Sequence, residues 1–211
     1  MRDLRAKRNR LVQTISSYQS IYKFSNKKEY LIVSSGILSF IWNNWNNFWR
    51  DYFLSHINGG LYINNNPINK FFACDDKEAL HYLCHLNGRF RNHNTGDKIR
   101  GSYQEITWGD YDKIIDIGSQ LVSIQPANTH LSYMISLISI YQNEIKHIQE
   151  IRNSFIHMNN ETIDKLNSLR AYYIFNSNQS IIDILESNHI RSNKKCIYHI
   201  LDNLKGFLMS L

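Results

Sequence analysis

Proline is almost missing from this sequence: Pro67 and Pro126 are the only two in 211 residues, and glycine occurs just nine times. A protein of many short strands and tight turns needs both residues often, so their scarcity argues for long helices and an all-α fold. Cysteine is scarce too. Cys74, Cys84 and Cys196 are odd in number and unrelated in spacing, so neither a disulfide framework nor a complete four-ligand zinc site is written here, and a reducing cytoplasm fits. The longest apolar run, residues 30–42, is too short to cross a bilayer and ends in Asn43 and Asn44; it reads as a buried core helix. The basic N-terminus, with Arg2, Arg5, Lys7, Arg8 and Arg10, is followed by no uninterrupted apolar segment or small-residue cleavage site, so no signal peptide is expected. The expectation is a cytoplasmic protein without membrane attachment.

The residues that are present describe an ordinary folded chain. Hydrophobic residues make up 43% and charged residues 20%, which argues against disorder, and the length suits one domain over residues 1–211. Twenty-four Lys and Arg against 18 Asp and Glu leave a net charge of +6, a field that favours a polyanionic partner such as nucleic acid. The asparagine clusters at 43–47 and 64–66 are read as compositional drift.

Apolar spacing lays out the helices. Leu4, Leu11, Ile15, Tyr18 and Tyr22 stripe a first helix over residues 3–24, whose other face is basic. Ser25 or Asn26 can cap a longer second helix to about His56, in which Trp42, Trp45 and Trp49 recur every three or four residues as core. Residues 58–70 gather glycine, asparagine and proline into a loop or short hairpin, and Asp75 and Asp76 open a helix to Leu86. Residues 87–105 form a second irregular or hairpin insertion, and a helix over 108–122 precedes Pro126. The strongest signal is one long amphipathic helix over residues 128–158, with Leu131, Met134, Ile135, Ile138, Tyr141, Ile145, Ile148, Ile151 and Phe155 on one stripe. Shorter helices are expected near 161–175, 179–187 and 194–210.

That long segment ends in EIRNSFIH, residues 150–157, which places Arg152, Asn153 and His157 at the close of an apolar-faced helix. Here the sequence resembles the HEPN ribonucleases of toxin–antitoxin, phage-defence and CRISPR systems, whose motif is Arg, four to six residues, then His, often with Asn directly after the Arg. The resemblance extends loosely over residues 125–175. It implies a HEPN-like helical bundle and a catalytic pair of Arg152 and His157, with Asn153 in support. A second set, Arg50, Asp51 and His56, fits the same loose spacing, but it lies in the tryptophan-rich stretch and is expected to be structural.

Residues five apart on a straight helix differ by about 140° in direction and about 7.5 Å in height, so Arg152 and His157 cannot meet on one phosphate from one ideal helix. In HEPN proteins two such helices face each other across a two-fold axis, which implies a homodimer here, with Arg50 and His56 as the fallback second set within one chain. The chemistry implied is cleavage of RNA by its own 2′-hydroxyl without metal or other cofactor. His157 would move protons near neutrality, and Arg152 would hold the phosphate and offset the transition-state charge. Asn159 stands where HEPN toxins silenced by nucleotide transfer carry a tyrosine, which argues against that mode of control, while an antitoxin or defence-system partner protein stays open. Arg5, Arg8, Arg89, Arg91 and Arg100 are candidates for contact with RNA backbone. His81 and His85 lie four apart beside Cys84, but no convincing acidic or cysteine partner is evident in the sequence, and no metal site is expected.

Overall fold

In the computed structural model, which describes residues 2–21, 26–157, 159–177 and 179–211, helix α1 spans Leu4–Ile21 and α2 spans Lys27–Asn58. Tyr22, the last position of the expected first stripe, and Ser25, one of two expected caps, lie outside the described residues. Asn26 takes the capping role: its Oδ1 accepts the Glu29 N–H at 2.9 Å. Gly59, at φ +82°, ends α2 in the left-handed conformation that suits glycine, and its N–H bonds the Ser55 carbonyl at 2.9 Å. Strands β1 (Gly60–Leu61) and β2 (Pro67–Ile68) then pair antiparallel, so the 58–70 insertion is a short hairpin. Asp75 caps α3 (Asp76–Leu86), accepting from the Glu78 N–H, and Asp110 caps α4 (Tyr111–Ile124). Between them, residues 87–105 form no strand and are irregular apart from a 3-10 turn at Ser102–Gln104.

The fold is mostly helical, as expected, and its one sheet among the described residues is that two-stranded hairpin. The long helix over 128–158 does not form as one piece. It is two helices, α5 (Thr129–Ile140) and α6 (Gln142–Ile156), interrupted at Tyr141 with φ −103° and ψ 18°. The cause is packing, since no proline or glycine stands there: α5 packs on α4, whereas α6 packs on α7 (Asn160–Ser168) and α9 (Cys196–Met209). Tyr141 itself turns its ring edge-on to Phe207 of α9, with centroids 5.6 Å apart. A second correction concerns residues 30–42. Tyr30, Ser34, Leu38, Ile41 and Trp42 are buried at helical spacing, while Leu31, Ile32 and Phe40 are exposed, so this run buries one face only.

The chain forms two compact units, and α1 and α2 contribute residues to both. The first contains the chain up to Leu11, Asn44–Ile140 and Leu211. Its centre is aromatic: Trp45, Phe48, Trp49, Tyr52 and Phe53 are all buried, with Trp49 edge-on to Trp45 at 5.6 Å and to Tyr52 at 5.3 Å. Trp45 Nε1–H donates to the Gly109 carbonyl at 2.9 Å, so the indole joins the core without leaving its polar atom unpaired. Helix α4 meets α5 where Gly118 lacks a side chain; a Cβ there would lie 2.0 Å from Ile135 Cδ1. Overpacking of this kind costs about 1–3 kcal/mol, more than the ~1 kcal/mol an alanine gains over glycine in a helix. Gly118→Ala is therefore expected to lower the urea midpoint, and adding Ile135→Ala to that variant is expected to cost less than Ile135→Ala alone.

The second unit contains Val12–Asn43 and Tyr141–Ser210. Ile145, Ile148 and Ile151 of α6 are buried together with Ile197, Ile200, Leu201 and Leu204 of α9, and α8 (Ile181–Glu186) closes the core with Ile181, Ile184 and Leu185. Tyr18 Oη and Ser34 Oγ, 3.2 Å apart, share a hydrogen bond inside it.

Candidate active site

Arg152, Asn153 and His157 sit at the corner between α6 and α7 in the second unit. Ile151 and Ser154 on either side of the Arg–Asn pair are buried, which turns Arg152 and Asn153 to the half-buried shoulder of the helix. The Arg152 Nη1–H donates to Asn153 Oδ1 at 3.0 Å, so Asn153 orients the guanidinium. Arg152 Nε is shielded from solvent and has no hydrogen-bond partner among the described residues. A buried donor left unpaired costs about 1–3 kcal/mol, which is the kind of debt a ligand's oxygen can offset.

His157 is the residue at which the helix stops, with φ −127° and ψ 86°, and its side chain is exposed. It therefore lies one residue beyond the helical turn in which the sequence pattern had placed it. The corner is tightly built: the His157 N–H donates to the Asn153 carbonyl at 2.8 Å, and Thr162 Oγ1–H reaches the His157 carbonyl at 2.6 Å. Asn159 caps α7, its Oδ1 accepting the Thr162 N–H at 2.9 Å. Ile156 is 46% exposed and Ile163 38% exposed at this same corner. A cleft of about 330 Å³ lies alongside, lined by Ser154, Thr162, Ile163, Asn167, Gln179 and Ile184.

The second set is arranged differently. Arg50 forms a two-point ion pair with Glu105, Nε to Oε2 at 2.6 Å and Nη2 to Oε1 at 3.1 Å. Burial works against its charge, yet the hydrogen bonds and field of Glu105 outweigh it and raise the Arg50 pKa. His56 is fully buried; Asn128 Nδ2–H donates to its Nδ1 at 3.0 Å, and the Tyr52 ring lies 4.7 Å away. Burial first, and then nearby His130, push the His56 pKa down to about 3, so it is a neutral core residue at any ordinary pH. Among the basic candidates, Arg5, Arg89, Arg91 and Arg100 are exposed and Arg8 is half-buried, bonded to Asn9; all five lie in the first unit.

A histidine-rich cleft of about 430 Å³ on the second unit was not singled out in the sequence. Glu144, His147, His189, Arg191 and His199 line it. The imidazoles of His189 and His199 stack at 3.7 Å, and His199 Nε2 lies 3.5 Å from Glu144 Oε1. The Ser192 N–H donates to His189 Nδ1 at 3.1 Å, so in neutral His189 the proton sits on Nε2. Burial opposes the charge of Glu144, but the His199 contact prevails and lowers its pKa; burial and then His199 lower that of His189. The only trace of this cleft in the sequence is the Glu144–His147 spacing of three, since His189 and His199 arrive from elsewhere in the chain. No family model, curated protein or solved structure matches this chain.

Proposed function

We propose that the protein is a metal-independent endoribonuclease of the HEPN type, in which Arg152 and His157 act on a phosphodiester and Asn153 positions Arg152. The observation that carries this reading is the state of Arg152: its guanidinium is held by Asn153 near the end of α6, the exposed His157 follows five residues on, and the Arg152 Nε is desolvated without a partner among the described residues. A surface arginine of no function is ordinarily wetted or salt-bridged, as Arg50 is to Glu105.

In the proposed reaction the 2′-hydroxyl of the substrate attacks the adjacent phosphorus, losing its proton to a base, while the 5′-oxygen leaves with a proton from an acid. His157 serves one of these two transfers. The guanidinium donates to the phosphoryl oxygens as charge builds on them. Two copies of the corner, one from each subunit of a homodimer, supply the second imidazole, and burial of Ile156 and Ile163 would favour that pairing. Toxin or antiviral defence is the setting the resemblance suggests, with an antitoxin or defence protein as partner. The runner-up is a silent HEPN-like module that binds RNA, a nucleotide or a protein.

The test is product chemistry. Incubation with single-stranded RNA in EDTA is expected to yield fragments ending in 2′,3′-cyclic phosphate, while an all-DNA oligonucleotide of the same sequence stays intact. Intact RNA under these conditions, with circular dichroism showing a folded chain, sinks the enzymatic reading and leaves the binding module.

A further inference from the structure

The irregular segment 87–105 returns to α3 at a cluster of histidine and aspartate side chains. His81 and His85 lie four residues apart on α3, and hence on one face, and His93 and Asp97 repeat the same spacing in the loop. His81 Nδ1 and His93 Nδ1 are 2.9 Å apart. One ligand atom from each of His81, His93 and Asp97 lies within 4.8 Å of the other two. With zinc–ligand bonds of about 2.0–2.2 Å, two ligand atoms at a tetrahedral angle sit about 3.3 Å apart, so the histidine nitrogens already stand close to the spacing a shared ion imposes.

The surrounding contacts hold these groups in place. The Phe90 ring stacks on His81 with centroids 4.3 Å apart and planes within 3°. Phe90 is anchored in turn by its carbonyl, 2.9 Å from His85 Nδ1; a carbonyl only accepts, so Nδ1 carries the proton and His85 acts as a positioning residue. Tyr82 packs edge-on to His93 at 5.1 Å. Asp97 Oδ2 accepts the Asn94 N–H at 2.8 Å, and the Gly96 N–H donates to Glu78 Oε1 at 2.7 Å, which ties the loop to α3. Lys98 adds an ion pair to Asp75.

We propose that His81, His93 and Asp97 bind one zinc ion, with solvent in the fourth position. Two imidazoles and a carboxylate are ligands zinc takes, whereas magnesium and calcium require oxygen sets. The ion would fasten a long segment without regular secondary structure to α3, and with it set the course of the chain through Arg89, Arg91 and Arg100. The site lies in the first unit and owes nothing to the ribonuclease reading.

The test uses the untagged full chain, stripped with EDTA and titrated with zinc alone against a chromophoric chelator, with cobalt absorption as a second readout. One zinc per chain is expected, together with visible cobalt bands. His93→Ala and Asp97→Asn should each weaken binding beyond the ~10–100-fold that loss of an outer-sphere partner costs. Asp97→Asn keeps size and shape, so it decides the matter if His93→Ala does not fold. A wild-type chain that retains no zinc, or variants that bind as tightly as wild type, overturns the proposal.

Discussion

Arg152→Ala is expected to lower RNA cleavage by about 10²–10³-fold, the range for removing one donor that stabilises a developing oxyanion. His157→Ala should lower it by about 10²–10⁴-fold, the usual share of a general acid or base. Neither change should unfold the protein. His157 is exposed, and the corner it terminates is held by its backbone: the carbonyl takes the Thr162 hydroxyl and the N–H bonds the Asn153 carbonyl. Arg152 buries an Nε that bonds nothing among the described residues, so truncation removes an uncompensated polar group along with some packing of its stem. A purely structural arginine predicts the reverse, with stability falling and cleavage unchanged. Arg152→Lys separates charge from shape: it keeps the positive charge but loses the planar fork, and its activity should fall nearly as far as that of the alanine variant. Single-turnover cleavage rates and urea midpoints, measured on the same preparations, decide the outcome. If Arg152→Ala and His157→Ala both cleave at the wild-type rate while His199→Ala does not, the chemistry belongs to the cleft formed by Glu144, His147, His189 and His199, and the assigned pair is wrong.

The helices of this protein were legible because their apolar residues recur at three and four, and because Asp75 stands where a cap is needed; the cap at Asp110 was missed, and the helix expected from residue 108 begins at Tyr111. The break at Tyr141 was not. Ile138, Tyr141 and Ile145 keep the same spacing across it, so only the packing distinguishes two helices from one: α5 lies on α4 through Gly118 and Ile135, and α6 on α9. The same limit applies to the sites. Arg152, Asn153 and His157 are near neighbours in the chain, and a local pattern can expose them. The Arg50–Glu105 pair joins residues 55 positions apart, and nothing local to Arg50 announces its partner. His81 with His85 was visible as a helical pair, but His93 and Asp97 enter only when the loop folds back, which is why the sequence showed no group of three side chains able to hold an ion where the geometry assembles one.

Buried histidines are expected to lower the stability of this fold in acid, His56 the most. Its ordinary pKa of 6.5 falls to about 3 inside the protein, through burial and then through His130. The Asn128 amide donates to Nδ1, so the proton of neutral His56 sits on Nε2, an atom buried without a partner among the described residues; a second proton would have to displace the Asn128 contact. The unfolded chain binds that proton near pH 6.5 and the folded chain refuses it until about pH 3. Stability from this group is therefore complete above pH 6.5 and declines as pH falls towards 3. At 1.36 kcal/mol per pKa unit, the loss at pH 4 is on the order of 3 kcal/mol, a large part of a typical domain's stability. His147 acts in the same direction in the second unit, lowered to about 4 chiefly by burial. His56→Leu removes the titration while keeping an apolar side chain beside Tyr52, so its stability should fall less steeply between pH 6.5 and pH 4 than that of the wild type, by on the order of 3 kcal/mol, whatever its stability at pH 7 becomes. Fluorescence of Trp45, Trp49 and Trp108, all buried in the unit that contains His56, provides the readout. Identical pH dependence for the two proteins would mean that His56 is protonated in the folded state, contrary to its burial and to the direction of the Asn128 hydrogen bond.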